Sequence, residues 1–427
     1  MKNSAVSMSK VAAASFAGAV LEWYDFFIFG TASALVFGEL FFPSVDPMAG
    51  TIASFATFGV GFLARPIGGI VFGHMGDRIG RKSALIATLL IIGIGTFLIG
   101  LLPTYSSAGV WAPVLLVALR LVQGFGLGGE YGGAALMTIE HAAPGRRGFW
   151  GSVPQAAASA GILLATGVFS LVTQLPKDVL MDWGWRVPFL LSSVMLIVGL
   201  FIRLQTFETP DFEKIKQSKT PGLPLVTLFR THPRNLLLAF GARLAETVSS
   251  NIINAFGIVY VSLQLSMNRS VPLTGVLMAA AVGVIACPLF GALSDRVGRR
   301  AVYLGGAAFT ALFAFPYFLL LGTKADEVIW LAIIVAYVFG PTAMFAVQAT
   351  FFSELFGANV RYTGLSIAYQ PSAIIGGFTP MIAAVLLKEE SGVPWLVAGY
   401  LAVISLISLV CASLVRRTAE SRAETRH

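Results

Sequence analysis

Gly73-His-Met-Gly-Asp77-Arg78-Ile-Gly80-Arg81-Lys82 and Gly291-Ala-Leu-Ser-Asp295-Arg296-Val-Gly298-Arg299-Arg300 stand 218 residues apart and share the pattern G-x-x-x-D-R-x-G-R-[KR]. A second match follows each of them. Glu140 precedes Arg147 by seven residues and Glu354 precedes Arg361 by seven, at an offset of 214. Two independent matches at nearly one period argue for an internal duplication, with each basic loop marking the same place in its half.

The residues around these loops are apolar. Of 427 residues 56% are hydrophobic and 12% charged, and the mean hydropathy is +0.80. A soluble chain of this size needs more charge to cover its surface, so the solvent is mostly lipid. A spanning helix needs roughly 20 apolar residues, and twelve such stretches can be read: 11–37, 50–74, 83–103, 111–139, 148–173, 185–204, 236–266, 272–293, 302–321, 327–352, 362–386 and 395–416. A spanning β-barrel would alternate polar and apolar residues over about ten positions, which these runs do not. The first stretch carries Glu22 and Asp25 and runs past any small-residue cleavage site, so it is expected to be a retained helix.

The expected fold is an all-α membrane protein of twelve transmembrane helices in two pseudo-symmetric six-helix bundles. Residues 1–204 form the first bundle, 205–235 a cytoplasmic linker interrupted by Pro210, Pro221, Pro224 and Pro233, 236–416 the second bundle, and 417–427 a tail. Of 29 Lys and Arg, 21 fall in the termini and even-numbered loops. Five lie on the other side (Lys177, Arg186, Arg269, Lys324, Lys388) and three fall within spans. That asymmetry predicts cytoplasmic termini in a multi-pass protein of the cell inner (plasma) membrane. It accounts for the net charge of +8 through anionic lipid, without nucleic acid. Cys287 and Cys411 lie inside spans and offer neither a disulfide framework nor metal-ligand spacing. The four histidines fall in loops or termini, so proton chemistry within the membrane rests on carboxylates.

The basic loops resemble the signature of the major facilitator superfamily. More narrowly, Glu22-Trp-Tyr-Asp25-Phe26, Phe62-Leu-Ala-Arg65-Pro66-Ile-Gly-Gly69 and the run from Arg120 through Gln123 and Glu130-Tyr131 to Gly133 resemble the metabolite:H+ symporter family, over residues 11–415. That resemblance implies carriage of organic acids, betaines or related solutes. Ser15-Phe-Ala-Gly-Ala-Val and the surroundings of Arg243, Glu246 and Ala255-Phe256 are most similar to its shikimate-carrying members. The tail beyond Arg416 is short and lacks heptads, unlike the coiled-coil tail of osmosensing betaine carriers.

Ionisable groups within a span are costly and face a cavity or a partner. Glu22 and Asp25 share one helical face, and such a pair takes up a proton readily, although either could pair permanently with an arginine. Glu130, Arg243 and Glu246 complete the candidate proton-coupling set, with Arg243 and Glu246 placed to neutralise each other. Arg65 and Arg120 present forks suited to a carboxylate. Arg120 could instead be locked to an acid of its own bundle, and Arg65 could hold either substrate or Asp25. Gln123, Tyr131, Asn251, Asn254, Tyr260, Gln348, Tyr369 and Gln370 are candidates for the remaining substrate contacts, or bridges between helices. The stripe Gly124, Gly128, Gly132 reads as helix packing.

A cytoplasmic gate is expected from Gly73, Asp77, Arg78, Gly80, Arg81, Lys82, Glu140 and Arg147. Its second-half counterparts are Gly291, Asp295, Arg296, Gly298, Arg299, Arg300, Glu354 and Arg361. Asp77 is suited to accept from a neighbouring helix N-terminus or to pair with an arginine, and Gly80 and Gly298 to turn the chain. No phosphate-binding G-x-x-x-x-G-K-[ST] is present, so the energy source is expected to be a proton gradient, with no nucleotide, metal or other cofactor. The expected function is proton-coupled import of a small carboxylate, shikimate or a relative, by a monomer. Betaine symport, export or antiport and a membrane receptor are the alternatives, and an enzyme is not expected.

Overall fold

A computed structural model describes residues 8–43, 46–78, 81–128, 138–139, 142–205, 224–356 and 361–415. Among these residues every regular element is helical. Each of the twelve apolar stretches carries a helix: Met8–Leu35, Pro47–Leu63 with Arg65–Arg78, Arg81–Gly100, Trp111–Leu127, Arg147–Val172, Val187–Gln205, Pro233–Gln264, Ser270–Val297, Arg299–Leu321, Asp326–Ser353, Arg361–Glu389 and Trp395–Leu414. They are called spans one to twelve. Nine helices among the described residues are long and apolar enough to cross a membrane.

Local chemistry sets the ends. Span two starts at Pro47, whose missing N–H costs nothing in a first turn, and Asp46 caps it by accepting from the Met48 amide at 2.9 Å. It breaks at Ala64, just before Arg65-Pro66, where proline cannot donate to the preceding turn. Span eight runs four residues past its expected end, to Val297, and stops at Gly298, whose φ of +94° only glycine adopts without strain. Arg186 donates to the Gly100 and Leu102 carbonyls (2.9 and 2.6 Å) and caps span three. One of the five basic residues expected opposite the termini is thus a structural cap.

In the first half span one packs on span five, three on six, and four on two and three; in the second, seven packs on eleven and twelve, and eight on ten. Glycine lets spans two and four touch backbone to backbone: a methyl at Gly124 would overlap the Gly61 carbonyl, and one at Gly128 the Arg65 carbonyl. The packing role expected of this stripe is seen at both; Gly132 lies outside the described residues. Between the halves, span five crosses span eight and span two crosses span eleven.

Candidate functional site

Arg120 on span four is 1% exposed. Its guanidinium carbon lies 4.3 Å from the Phe29 ring centre, 4.9 Å from Phe58, 5.6 Å from Phe26 and 5.9 Å from Phe62. Its hydrogen-bond acceptors are Gln123 Oε1 at 3.2 Å and the Phe58 carbonyl at 3.4 Å. Gln123 is held in turn by donating to Thr96 Oγ1 at 2.7 Å. Among the described residues no carboxylate pairs with Arg120, so the intrabundle acid lock is not formed there. The rings attract the cation by about 0.5–2 kcal/mol each, which offsets only part of the cost of burying it.

Arg65, at the break in span two, shares the same aromatic box. Its guanidinium carbon is 4.5 Å from the Phe62 ring centre and 5.3 Å from Phe26, within electrostatic reach of Arg120. Two like charges in one apolar box favour an incoming anion. Asp25, next to Phe26 on span one, is buried, and Glu22 one turn earlier is half-buried.

The second bundle presents a matching group. Arg243 on span seven donates to Ser372 Oγ at 2.7 Å and to the Tyr369 carbonyl at 3.2 Å, and stacks 3.5 Å over the Tyr369 ring. The expected pair with Glu246 is present at 3.6 Å, with both side chains buried. Tyr369 lies within electrostatic reach of Arg65 as well as Arg243, so both bundles aim a cation at the same region. Gln370, one residue on, donates across the interface to the Gly128 carbonyl at 3.1 Å.

Other expected contacts are spent locally. Asn251 donates to the Thr247 carbonyl (2.8 Å) and Asn254 to Ser250 Oγ (3.3 Å), both within span seven. The Tyr260 ring packs on Phe256 and Phe318, and Gln348 is buried on span ten. Glu130 and Tyr131 lie outside the described residues.

At the end of the bundles that carries the basic loops, Asp295 joins the two halves. Its Oδ1 accepts from the Gly148 amide at 2.7 Å and its Oδ2 from the Phe149 amide at 2.9 Å, at the first turn of span five. Its negative charge sits on free backbone donors at the positive end of a helix. The approach needs glycine: a methyl at Gly291 would meet Ser152 Oγ and the Gly148 carbonyl. Glu354 pairs with Arg299, so this part of the gate braces the second bundle internally. Arg300 donates to the Ser413 carbonyl, and Arg296 is exposed. Arg147 opens span five and is half-buried. The side chains of Asp77, Arg78, Arg81, Lys82 and Arg361, the surroundings of Gly73, and all of Gly80 and Glu140, lie outside what is described.

Sequence reasoning missed three features. Ile252–Phe256, Tyr260–Gln264 and Val338–Thr342 are π-helical, a form that gathers at functional sites. Only the last, at Gly340-Pro341, carries a sequence signal. Tyr337 and Ser159 hydroxyls meet at 3.0 Å across the bundles, over Gly283. The Phe26, Phe29, Phe58, Phe62 box was visible only as separate aromatics on two spans.

Two helical bundles meeting at close glycine crossings, with buried cations facing the interface and a charged clasp at one end, define a membrane transporter of the major facilitator class. The sequence profile of the family described as "Sugar (and other) transporter" matches residues 10–222 and again 212–421, and the chain belongs to that family. It is 41% identical over 415 residues to the shikimate transporter of Escherichia coli (strain K12), covering 95% of this chain and 94% of that protein. It is 34% identical over 426 residues to a glycine betaine/proline/ectoine/pipecolic acid transporter of Dickeya dadantii (strain 3937), covering 96% and 84%. A crystal structure of a D-xylose-proton symporter shares the fold with a TM-score of 0.74 at 19% identity, covering 97% of this chain and 99% of that one. The chain is thus a multi-pass membrane transporter and not an enzyme.

Proposed function

We propose that the protein is a proton-coupled importer of a small organic carboxylate, shikimate or a close analogue, across the inner membrane. The observation that carries this is Arg120: a buried guanidinium among four phenylalanine rings whose two hydrogen-bond acceptors among the described residues are neutral. A carboxylate entering between the bundles gains a charge-assisted, forked pair in a site where the cation is already desolvated. Arg65 sits beside it and Arg243 on the facing bundle, so the anion draws both halves together. Asp25 is the proposed proton carrier, since it is a carboxylate buried on span one next to the box.

Betaine is the second reading, raised by the 34% identical relative. An aromatic box is the usual chemistry for a quaternary ammonium, but here the guanidinium groups occupy it. Equilibrium binding to the purified protein separates the two. The proposal expects shikimate to bind and Arg120→Ala to weaken it at least about 100-fold. Betaine binding that survives Arg120→Ala, with no carboxylate binding in the parent, would overturn it.

A further inference from the structure

The outer face carries ion pairs that cross between the bundles, and their geometry differs from that of the cytoplasmic clasp. Lys388, at the end of span eleven, reaches Asp46 at 2.6 Å. Arg269, ahead of span eight, reaches Glu39 at 3.4 Å, and the same carboxylate is held at 3.1 Å by Lys177 of its own bundle. Each acid therefore has a partner on each side of the divide. If the bundles part, Glu39 keeps Lys177 and Asp46 keeps the Met48 amide that it caps. Arg269 and Lys388 pass into water. Lys388 first, then the Met48 amide, hold the Asp46 carboxyl below its ordinary range, so it stays charged as the pH falls well below neutral.

Among the described residues the cytoplasmic face offers no such fallback at Asp295. Both of its bonds come from the opposite bundle, at a helix N-terminus. Exposed pairs are weak and screened by salt, while charge-assisted bonds to a partly buried helix end are not. We propose that Glu39, Asp46, Lys177, Arg269 and Lys388 form an outer gate that opens without stranding a charge. Parting the bundles at this end therefore costs less than parting them at Asp295, where both bonds are lost together. This rests on the transport reading and goes beyond it by assigning the residues of the barrier at the end away from the Asp295 clasp.

The test uses two neutralisations at the same carboxylate. Spin labels at Ser106 and Glu327, exposed on the outer loops of opposite bundles, are placed in full-length protein with Cys287→Ala and Cys411→Ala. Distances are then measured in lipid without substrate. Arg269→Gln removes the crossing partner, and the outward-open fraction rises, by about two- to fivefold in the open-to-closed ratio. Lys177→Gln removes the fallback partner and its repulsion of Arg269, so the ratio falls by a similar factor. Raising the salt opens the parent and leaves Arg269→Gln less affected. A shift of both variants in the same direction, or no shift in either, would overturn the proposal. Gate responses of opposite sign in a protein that takes up no carboxylate would leave the gate standing and remove only the substrate assignment.

Discussion

Asp295→Asn changes one atom and should reset the resting conformation of the protein. In the parent both carboxylate oxygens accept backbone amides of span five, at 2.7 and 2.9 Å, in a partly buried setting. Hydrogen bonds to a charged group contribute about 1.5–3 kcal/mol each, and the favourable charge at a helix end about 0.3–1 kcal/mol more. Asparagine keeps one acceptor for Gly148 but turns an NH2 towards the Phe149 amide, setting donor against donor. One bond and the charge are lost, some of it recovered by water as the face opens, leaving about 2 kcal/mol. At 1.36 kcal/mol per decade that is about 30-fold, so a closed-to-open ratio of about 100:1 would fall to about 3:1. Spin labels at Gly145 and Ala301, exposed on opposite bundles at the Asp295 end, read the ratio directly. A change of less than about twofold would refute the argument that this aspartate clasps the two halves.

Three further outcomes follow from the same contacts. Gly291→Ala puts a methyl against Ser152 Oγ and the Gly148 carbonyl between bundles, and is expected to favour the inward-open form in the same spin-label assay with little loss of thermal stability. Gly124→Ala instead overlaps the Gly61 carbonyl within one bundle; it should cost about 1–3 kcal/mol and lower the Tm of the detergent-solubilised protein. Asp25→Asn should abolish proton-driven accumulation while preserving exchange of labelled for unlabelled substrate, measured in proteoliposomes; unchanged accumulation would remove Asp25 from the coupling step.

The twelve spans were legible because lipid leaves the backbone no partner but itself, which forces long apolar runs. The internal duplication was legible because both loops keep their residues in register. The clasp was half legible: a helix N-terminus or an arginine was the expected partner of Asp77, but nothing pointed to its counterpart Asp295 taking two amides 146 and 147 residues away. Glu354 shows the limit from the other side, since its seven-residue spacing to Arg361 gave no hint of Arg299. Asn251 and Asn254 were candidates for substrate contacts, whereas both bond along their own helix, Asn254 from inside a π-helical segment. The aromatic box and the outer pairs join residues whose separation no periodicity encodes, 62 positions from Arg120 to Phe58 and 342 from Lys388 to Asp46.

Uptake into proteoliposomes under an imposed pH gradient tests the central claim most directly. With the outside acidic, labelled shikimate should accumulate above its external concentration, collapse when a protonophore is added, and fail to accumulate in Arg120→Ala. Accumulation of glycine betaine without any organic acid, or shikimate uptake indifferent to the gradient, would contradict the account.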